Sequence, residues 1–399
     1  MKVLAVSTWF PYPPDNGSKA RTYHLLRHVG MNHDVDLLAL TQSDDDLRFL
    51  GDVRQFCRRV ASFPEPAFRP SGVRSLAAFF SPVPRYFQSH HCPELEIALG
   101  DWARAEDYDV VLAASLGAAP YVAKLDMPVR RILDEHNIES QVIKRQWLEE
   151  KSLWRRLRRL PTWIKAQRFE AALASRFHVV TVVSERERHL FEALLPNGRG
   201  PRAKVIPNGA DPCLLDYECP TKEHGVLVFT GALGYLPNYG AALHLWRDIL
   251  PLVRRYVPEA RVRITGRAAG VDTSEFEAAP GVELTGYVDD IRPVVASASA
   301  LVVPIRLGGG TRLKILEAMA LGTPVVSTRV GAEGISVADG DDILLGETAA
   351  EMANRVVRIL TSPELAAKIA GNARALVRER YQWPAIAAQF ERVLSGAEE

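Results

Sequence analysis

The segment VVPIRLGGGTRLKILEAMALGTPVVST, residues 302–328, brings together residue types that suit the binding of an anion. An apolar run ends at Pro304, and the glycines 308–310 separate it from a stretch with the apolar spacing of a helix. Glycines let backbone amides approach a ligand closely, and the first N–H groups of a helix have no partner within it. The pattern predicts a phosphate site at the start of this helix, with Thr311 as the N-cap residue.

Two cations and one acid strengthen this prediction. Arg312 and Lys314 fall in the predicted first turn, where each positive charge opposes the helix dipole by about 0.3–1 kcal/mol. A bound diphosphate would offset that cost. Glu317 follows, and a carboxylate can accept hydrogen bonds from both hydroxyls of a ribose. The competing interpretation, a tight turn with solvated charges, accounts for the glycines but not for this combination.

Other phosphate and metal motifs are missing from the sequence. There is no GK[ST] of a Walker loop and no GxGxxG after the first predicted strand, which argues against a nicotinamide cofactor. The acidic pairs 289–290 and 341–342 are adjacent residues whose side chains diverge, unlike a DxD cluster. We therefore expect no metal and no cofactor.

Short β-branched runs alternate with longer amphipathic stretches along the chain. Nearly continuous apolar strands spaced by helices indicate parallel sheets covered on both faces. The predicted strands of the first half are Lys2–Ser7, Val35–Thr41, Tyr108–Ala113, Arg131–Asp134, His178–Val183 and Lys204–Ile206. Those of the second half are Val226–Thr230, Arg261–Thr265, Val282–Leu284, Ala300–Pro304 and Pro324–Thr328. The main predicted helices are Ser18–Val29, which ends at Gly30, Asn238–Val253, Arg312–Leu321, Ala349–Leu360, Pro363–Arg378 and Trp383–Leu394.

A stretch rich in Pro and Gly, 206–225, interrupts the alternation and predicts an interdomain connection. The expected fold class is α/β, with two doubly wound, Rossmann-like domains, 1–207 and 208–382, facing a central cleft. Ligands of such sheets bind at the carboxyl ends of the strands, so the cleft is the expected site.

Composition bounds the partners. With 49 Lys+Arg against 48 Asp+Glu, the net charge of +1 argues against a nucleic-acid partner. The four cysteines include no CxxC pair, which favours a reducing compartment. The N-terminal apolar run predicts a strand, not a signal peptide, and no run is long enough to cross a membrane. The expected location is the cytoplasm, and peripheral contact with the inner face of the membrane is compatible with the sequence.

The segment KSLWRRLRRLPTWIKAQRF, 151–169, carries seven cations and no acid. Its apolar residues recur at helical spacing, and its tryptophans suit the interface of an anionic membrane. The alternative is a core helix with a solvated basic face, kinked by Pro161. The apolar residues concerned are Leu153, Leu157, Leu160 and Ile164, with Trp154 and Trp163.

Several motifs in both halves occur in the order typical of one enzyme family. They are PYPPDNGSKAR (11–21), VSERE (183–187), IPNGAD (206–211), GYVDD (286–290) and GTPVVST (322–328), together with the segment 302–328. The chain thereby resembles the retaining GT-B glycosyltransferases of the family 4 type, glycosyl transferases group 1. The segment FTGALGYLPNYGA (229–241) is similar to the corresponding segment in the branch of this family that is associated with bacterial exopolysaccharide loci.

The resemblance implies an enzyme of the hexosyltransferase type. It would move a sugar from a UDP- or GDP-sugar to a hydroxyl of a polysaccharide or lipid-linked acceptor, without a metal and with retention of the anomeric configuration. Domain 1–207 would bind the acceptor and domain 208–382 the nucleotide-sugar. The C-terminal helix, 383–399, would pack back onto the first domain.

The resemblance also assigns site residues. His136, in DEHNIES, matches the histidine that lies near the donor sugar, and with Glu317 it would form the catalytic pair. Tyr287 and Val288 would flank the nucleobase. The residues expected to bind the donor are Gly17, Ser18, Gly231, Arg267, Val288, Gly309, Gly310, Thr311, Arg312, Lys314, Glu317 and Glu333.

The sequence departs from the family at two places. The first of two glutamates that the family spaces eight positions apart is Gly309 here, and the basic residues after the first strand of the second domain are absent. We expect Arg312 and Lys314 to take over part of the diphosphate binding. Two alternatives stay open: a nucleotide-sugar epimerase of the same architecture and, because Gly309 replaces the glutamate, a non-catalytic nucleotide-sugar-binding homologue.

Overall fold

The computed structural model describes residues 1–66, 81, 83, 84, 87, 91–150, 152–196, 200–218 and 220–397. The chain forms two compact units. Unit 1 comprises Met1–Pro207 and Ile386–Glu399, and unit 2 comprises Asn208–Ala385. Lys151 of the basic segment, Cys219 and the last two residues of the predicted C-terminal helix lie outside the described residues.

Unit 1 is built on a parallel sheet of seven strands in the order β3-β2-β1-β4-β5-β6-β7. Its central strands are buried along nearly their whole length because helices cover both faces, which is why they are continuous apolar runs. The strands are β1 Lys2–Ser7, β2 Asp34–Thr41, β3 Arg59–Pro64, β4 Val110–Ala113, β5 Arg130–Glu135, β6 Val179–Val182 and β7 Arg202–Val205.

The helices of unit 1 follow the strands as the alternation predicts, with one boundary corrected. The Asn16 side chain accepts the Lys19 N–H at 3.0 Å and so starts the first helix, which continues past Gly30. A Cβ at Gly30 would lie 2.1 Å from the Phe56 carbonyl oxygen, so close packing and not a helix end requires this glycine. The helices are α1 Gly17–Asn32, α2 Leu50–Val53, α3 Pro93–Ala105, α4 Ala119–Ala123, α5 Glu139–Glu149, α6 Leu153–Ala174 and α7 Glu185–Glu192.

Unit 2 repeats the architecture with a parallel sheet of six strands in the order β10-β9-β8-β11-β12-β13. The prediction of two doubly wound α/β domains is therefore confirmed. The strands are β8 Glu223–Thr230, β9 Arg261–Thr265, β10 Val282–Gly286, β11 Ala298–Val303, β12 Val325–Ser327 and β13 Leu344–Leu345.

The helices of unit 2 include one segment with a wider turn, because α-helix 236–244 passes through a π-helical stretch, Leu245–Ile249, before the next helix. They are α8 Pro212–Leu215, α9 Leu236–His244, α10 Leu250–Val253, α11 Ser274–Glu277, α12 Arg292–Ser297, α13 Leu313–Ala320, α14 Ala349–Thr361 and α15 Pro363–Arg380. The last helix, α16 Trp383–Ser395, belongs to unit 1 from Ile386 onward. There the Arg130 guanidinium donates to the Val393 carbonyl at 3.2 Å.

Helix α6 contains the basic segment from Leu153 onward and runs unbroken through Pro161. Its buried residues lie in its second half, from Ala166 to Ala174, whereas Leu153, Trp154 and Leu157 are 77%, 75% and 66% exposed. The segment is therefore not a core helix in its first half. In the described part of the chain, no helix has the combination of length and apolar character that crossing a bilayer demands.

Candidate active site

The glycine loop of unit 2 joins β11 to α13. Gly308 and Gly310 have φ angles of 121° and 70°, a region open to glycine but strained for other residues. The helix starts one residue later than predicted, at Leu313, because Arg312 is still extended at φ −87° and ψ 94°. Thr311 is therefore not the N-cap residue, which corrects the sequence prediction. Its buried Oγ1 has no hydrogen-bond partner among the described residues, so it can still donate to a ligand.

Arg312 folds back over the loop that precedes it. Its Nη1 donates to the carbonyl oxygens of Gly309 and Gly310. A Cβ at Gly308 would lie 3.0 Å from Nη2 of the same guanidinium. The positive charge thus lies against the glycine loop, and not out along the helix as the first-turn prediction implied.

Lys314 reaches from α13 to the end of the neighbouring strand β8. Its Nζ donates to the carbonyl of Thr230 and, at 3.0 Å, to Oδ1 of Asn238, and it lies 4.3 Å from the centre of the Phe229 ring. Desolvation, with the positive charge of Arg312, lowers the pKa of Lys314 to about 7. A ligand with negative charge at this place would restore the protonated amine.

Gly231 leaves the room that Lys314 needs. This glycine has a φ of 133°, and its N–H donates to Thr265 at 2.8 Å. A Cβ there would lie 2.7 Å from Nδ2 of Asn238 and 2.8 Å from Nζ of Lys314. Any larger residue at 231 would therefore displace the amine.

Two acids, Glu317 and Glu333, lie near Lys314 and the glycine loop. Glu317 is half-buried on α13, where desolvation raises its pKa and the charge of Lys314 acts against that rise. Glu333 is half-buried on the turn after β12. A side chain at the next residue, Gly334, would come within 2.6 Å of Thr311 Oγ1, so this turn lies against the glycine loop.

The remaining predicted residues of unit 2 follow the next two strands. Arg267 comes after β9, and its Cζ lies 4.6 Å from the centre of the Tyr287 ring, which comes after β10. Both side chains are exposed, and Val288 beside them is half-buried. The predicted donor residues of unit 2 thus lie at or just after the carboxyl ends of five parallel strands, or on helix α13, where such sheets bind ligands.

In unit 1, His136 directly follows strand β5, and Gly17 and Ser18 begin α1. Arg21, one turn further along α1, donates from Nε and Nη2 to the two carboxylate oxygens of Asp134 at 2.8 and 2.7 Å. His136 Nε2 lies 3.1 Å from Oδ2 of the same carboxylate. Burial opposes the charge of Asp134, but Arg21 and His136 outweigh it and hold the pKa of Asp134 below its usual range.

Sequence reasoning missed several of these residues. Asn238 lies in the loop where the family has its basic residues, and nothing in the sequence signals its contact with Lys314. Arg21 and Asp134 lie within the quoted motifs PYPPDNGSKAR and DEHNIES, but neither was assigned a role. An arginine and an acid in two such motifs were the available signal.

Metal ligands do not gather at either place. Over the residues that the structure describes, no group of three or more His, Cys, Asp and Glu side chains is close enough to hold a metal ion.

Comparison with protein families identifies the chain. Residues 16–209 match the glycosyl transferase 4-like domain, and residues 224–362 match the glycosyl transferases group 1. The chain belongs to the group 1 glycosyltransferases. The resemblance to glycosyltransferases of the family 4 type is thereby confirmed, and the protein is a glycosyltransferase.

Two curated relatives are similar to this glycosyltransferase. An uncharacterised 44.6 kDa protein in the cps region of Klebsiella pneumoniae is 22% identical over 396 residues, 95% of this chain and 96% of the relative. The phosphatidyl-myo-inositol mannosyltransferase of Mycolicibacterium smegmatis is 32% identical over 217 residues, 50% of this chain and 54% of the relative. The cps-region relative gives weak support to the exopolysaccharide link.

Solved structures share the fold over the whole glycosyltransferase. The sucrose-phosphate synthase of Thermosynechococcus elongatus has a TM-score of 0.72 at 17% identity and covers 100% of this chain and 99% of its own. HepE of Anabaena in complex with UDP-glucose has a TM-score of 0.71 at 17% identity and covers 99% of this chain and 100% of its own. These likenesses confirm the GT-B fold class.

Proposed function

We propose that this glycosyltransferase moves a sugar from a UDP- or GDP-sugar to a hydroxyl of a polysaccharide or lipid-linked acceptor. The observation that carries the proposal is the contact of Lys314 with the end of β8, beside the glycine loop. An amine whose pKa has fallen to about 7 gains most from an anionic ligand. A diphosphate at this place would also meet Thr311 Oγ1 and the first N–H groups of α13.

The same groups suit the chemistry of transfer. Negative charge grows on the diphosphate as the bond to the sugar breaks, and fixed cations and backbone amides stabilise it. Lys314, Arg312 and helix α13 supply that charge from the protein, so we propose that transfer needs no metal. Glu317 binds the ribose, and Arg267, Tyr287 and Val288 lie at the nucleobase.

Unit 1 supplies the acceptor side in this proposal, with His136 at the sugar and Gly17 and Ser18 in contact with the donor. The resemblance to retaining enzymes supports transfer with retention. The anomeric proton signals of the first-formed product, measured by NMR, test this directly. An inverted product would exclude a retaining reaction.

A screen for the donor tests the proposal as a whole. The thermal midpoint of the full chain is measured with UDP-, GDP-, ADP- and dTDP-sugars, because a ligand that binds the folded state raises it. UDP-glucose comes first, since HepE binds it. We expect one nucleotide series to raise the midpoint and to be hydrolysed or transferred in the presence of EDTA. Failure of all four series, or an absolute need for a divalent ion, would contradict the proposal.

Peripheral contact with the membrane through 151–169 fits a lipid-linked acceptor. Leu153, Trp154 and Leu157 project from the first half of α6 beside its arginines, an arrangement suited to anionic lipid. The partner that we propose for this surface is the anionic face of the membrane, with the enzyme at its inner side.

Flotation of the full chain with liposomes tests this surface. We expect binding to vesicles of phosphatidylglycerol and phosphatidylcholine, weaker binding to phosphatidylcholine alone, and loss of binding in L153S/W154S/L157S. The matched control is I97S/Y256S, since these side chains are 64% and 74% exposed elsewhere. Equal binding by both variants, or no binding to either vesicle, would overturn the membrane contact.

A further inference from the structure

Only one of the two ring nitrogens of His136 has a hydrogen-bond partner within the described part of the chain. Its side chain is 11% exposed, and the Trp9 ring lies 5.5 Å from it, centre to centre. Nε2 lies 3.1 Å from Asp134 Oδ2. Nδ1 is buried and makes no hydrogen bond within the described part of the chain. One ring nitrogen is therefore committed to the protein and the other is left for a ligand.

The carboxylate beside Nε2 is fixed as an acceptor. Asp134 is buried, with Arg21 Nε on Oδ2 and both Arg21 Nη2 and the Thr181 hydroxyl on Oδ1, the last at 2.6 Å. Arg21 is itself fully buried and donates from Nη1 to the Pro207 carbonyl at 3.1 Å. A buried guanidinium paired in this two-pronged way keeps its carboxylate ionised. Because an ionised carboxylate can only accept, the proton between it and His136 must be on Nε2.

We propose that Asp134 is a positioning residue that fixes His136 as the Nε2–H tautomer and presents Nδ1 to the sugar substrate. The inference rests on the proposed role of His136 in transfer. In the neutral ring, Nδ1 then carries the lone pair, so it accepts a hydrogen bond from a sugar hydroxyl. Trp9 keeps the ring from turning away, and its Nε1 is anchored on the Thr22 hydroxyl of α1 at 3.2 Å.

The tautomer can be measured without any substrate. The full chain is labelled with ¹⁵N-histidine, and the resonances of His136 are assigned among the ten histidines by their loss in H136Q. Protonated and unprotonated ring nitrogens differ widely in chemical shift. At about pH 8, where a free imidazole is neutral, we expect the pattern of the Nε2–H tautomer. The Nδ1–H tautomer or a doubly protonated ring would overturn the proposal.

Asp134→Asn tests the link between the two residues. The amide of an asparagine can donate to Nε2, which moves the ring proton to Nδ1 and removes the acceptor. We expect the tautomer to switch and kcat to fall by about 100-fold or more, with the Kd of the donor changed by less than about threefold. Thr181→Val is the matched control, because it removes another bond to the same carboxylate, and the tautomer should stay as it is.

A second variant controls for the possibility that Asp134→Asn fails to fold. Asp134→Asn leaves Arg21 buried without its carboxylate, so R21M/D134N, which removes both charges, is measured beside it. A tautomer that stays Nε2–H in both folded variants would overturn the inference. If H136A keeps its turnover while the tautomer is as expected, the catalytic role of His136 fails and the positioning by Asp134 stands.

Discussion

The carboxyl groups of Glu135 and Glu170 face each other in the interior of unit 1. Glu170 accepts the backbone N–H groups of Glu139 and Ser140 at 2.7 and 3.1 Å. Two carboxyl groups can share a hydrogen bond only when one is protonated. Burial and the charge of Glu170 raise the pKa of Glu135 well above its usual range. Glu170 already accepts two backbone N–H groups, whereas no donor meets the buried oxygens of Glu135 among the described residues, so the proton lies on Glu135. The pair secures the start of α5, next to His136.

We expect Glu135→Gln to stabilise the chain at alkaline pH. Above about pH 4.5 the unfolded chain releases a proton that folded Glu135 keeps. Stability is therefore lost as the pH rises toward the folded pKa, by up to about 1.4 kcal/mol per pH unit. Glutamine donates to Glu170 at every pH and has no proton to lose. Urea midpoints should favour the variant at about pH 8 and show little difference at about pH 5.

The control for this experiment is Glu149→Gln, at the exposed end of helix α5. Its midpoint should follow that of the unmodified chain at both pH values. If Glu135→Gln also follows the unmodified chain, Glu135 is not the protonated member of the pair.

Much of the fold could be predicted because the parallel strands are buried on both faces and therefore occur in the sequence as apolar runs. Strand β3 escaped prediction, since RVASFP lies at the sheet edge and all but its last residue are only half-buried. The start of α13 was placed too early because Thr311 is a good capping residue by type. Contacts that depend on the order of the strands in a sheet join residues far apart in the chain, so the spacing of residue types along the sequence does not predict them. Lys314 meets Thr230 and Asn238 across 84 and 76 residues, and Arg21 meets Asp134 across 113.

Donor binding should depend on the protonation of Lys314. With a pKa of about 7 in the ligand-free chain, the amine is half charged at neutral pH. A diphosphate favours the charged form, so binding takes up a proton and donor affinity falls above about pH 7, by up to tenfold per pH unit. Calorimetry at about pH 8 in two buffers of different ionisation enthalpy measures this proton uptake.

Two variants separate Lys314 from other cations. Lys314→Gln should bind the donor more weakly and without proton uptake. Lys222→Gln should bind the donor as the unmodified chain does. Lys222 Nζ contacts Thr323 at 3.0 Å, and this lysine has no part in the proposed diphosphate site. Proton uptake that survives in Lys314→Gln would assign the titration to another group.

Asn238→Asp should shift the pH dependence of donor binding. The amide oxygen 3.0 Å from Lys314 Nζ becomes a carboxylate, which raises the pKa of the amine. The new charge also competes with the diphosphate, so affinity near neutral pH should fall by about tenfold or more, while the decline above pH 7 disappears. Calorimetric titrations between about pH 6 and pH 9 record both effects. An unchanged midpoint of the pH profile would separate Asn238 from the titration of Lys314.

Glu317→Ala should weaken nucleotide binding through the ribose. Loss of a hydrogen bond to a charged group costs about 1.5–3 kcal/mol, or roughly 10- to 150-fold in Kd. The same substitution measured with 2′-deoxy and 3′-deoxy nucleotides separates a local contact from a general disturbance. If Glu317 accepts from the diol, the loss shrinks for the analogue that lacks the hydroxyl it binds. An equal loss for all ligands would mean that the carboxylate acts by positioning its neighbour Lys314, whose charge lowers the pKa of Glu317. Removing Glu317 would then change the pH profile of donor binding, which a ribose contact alone would leave in place.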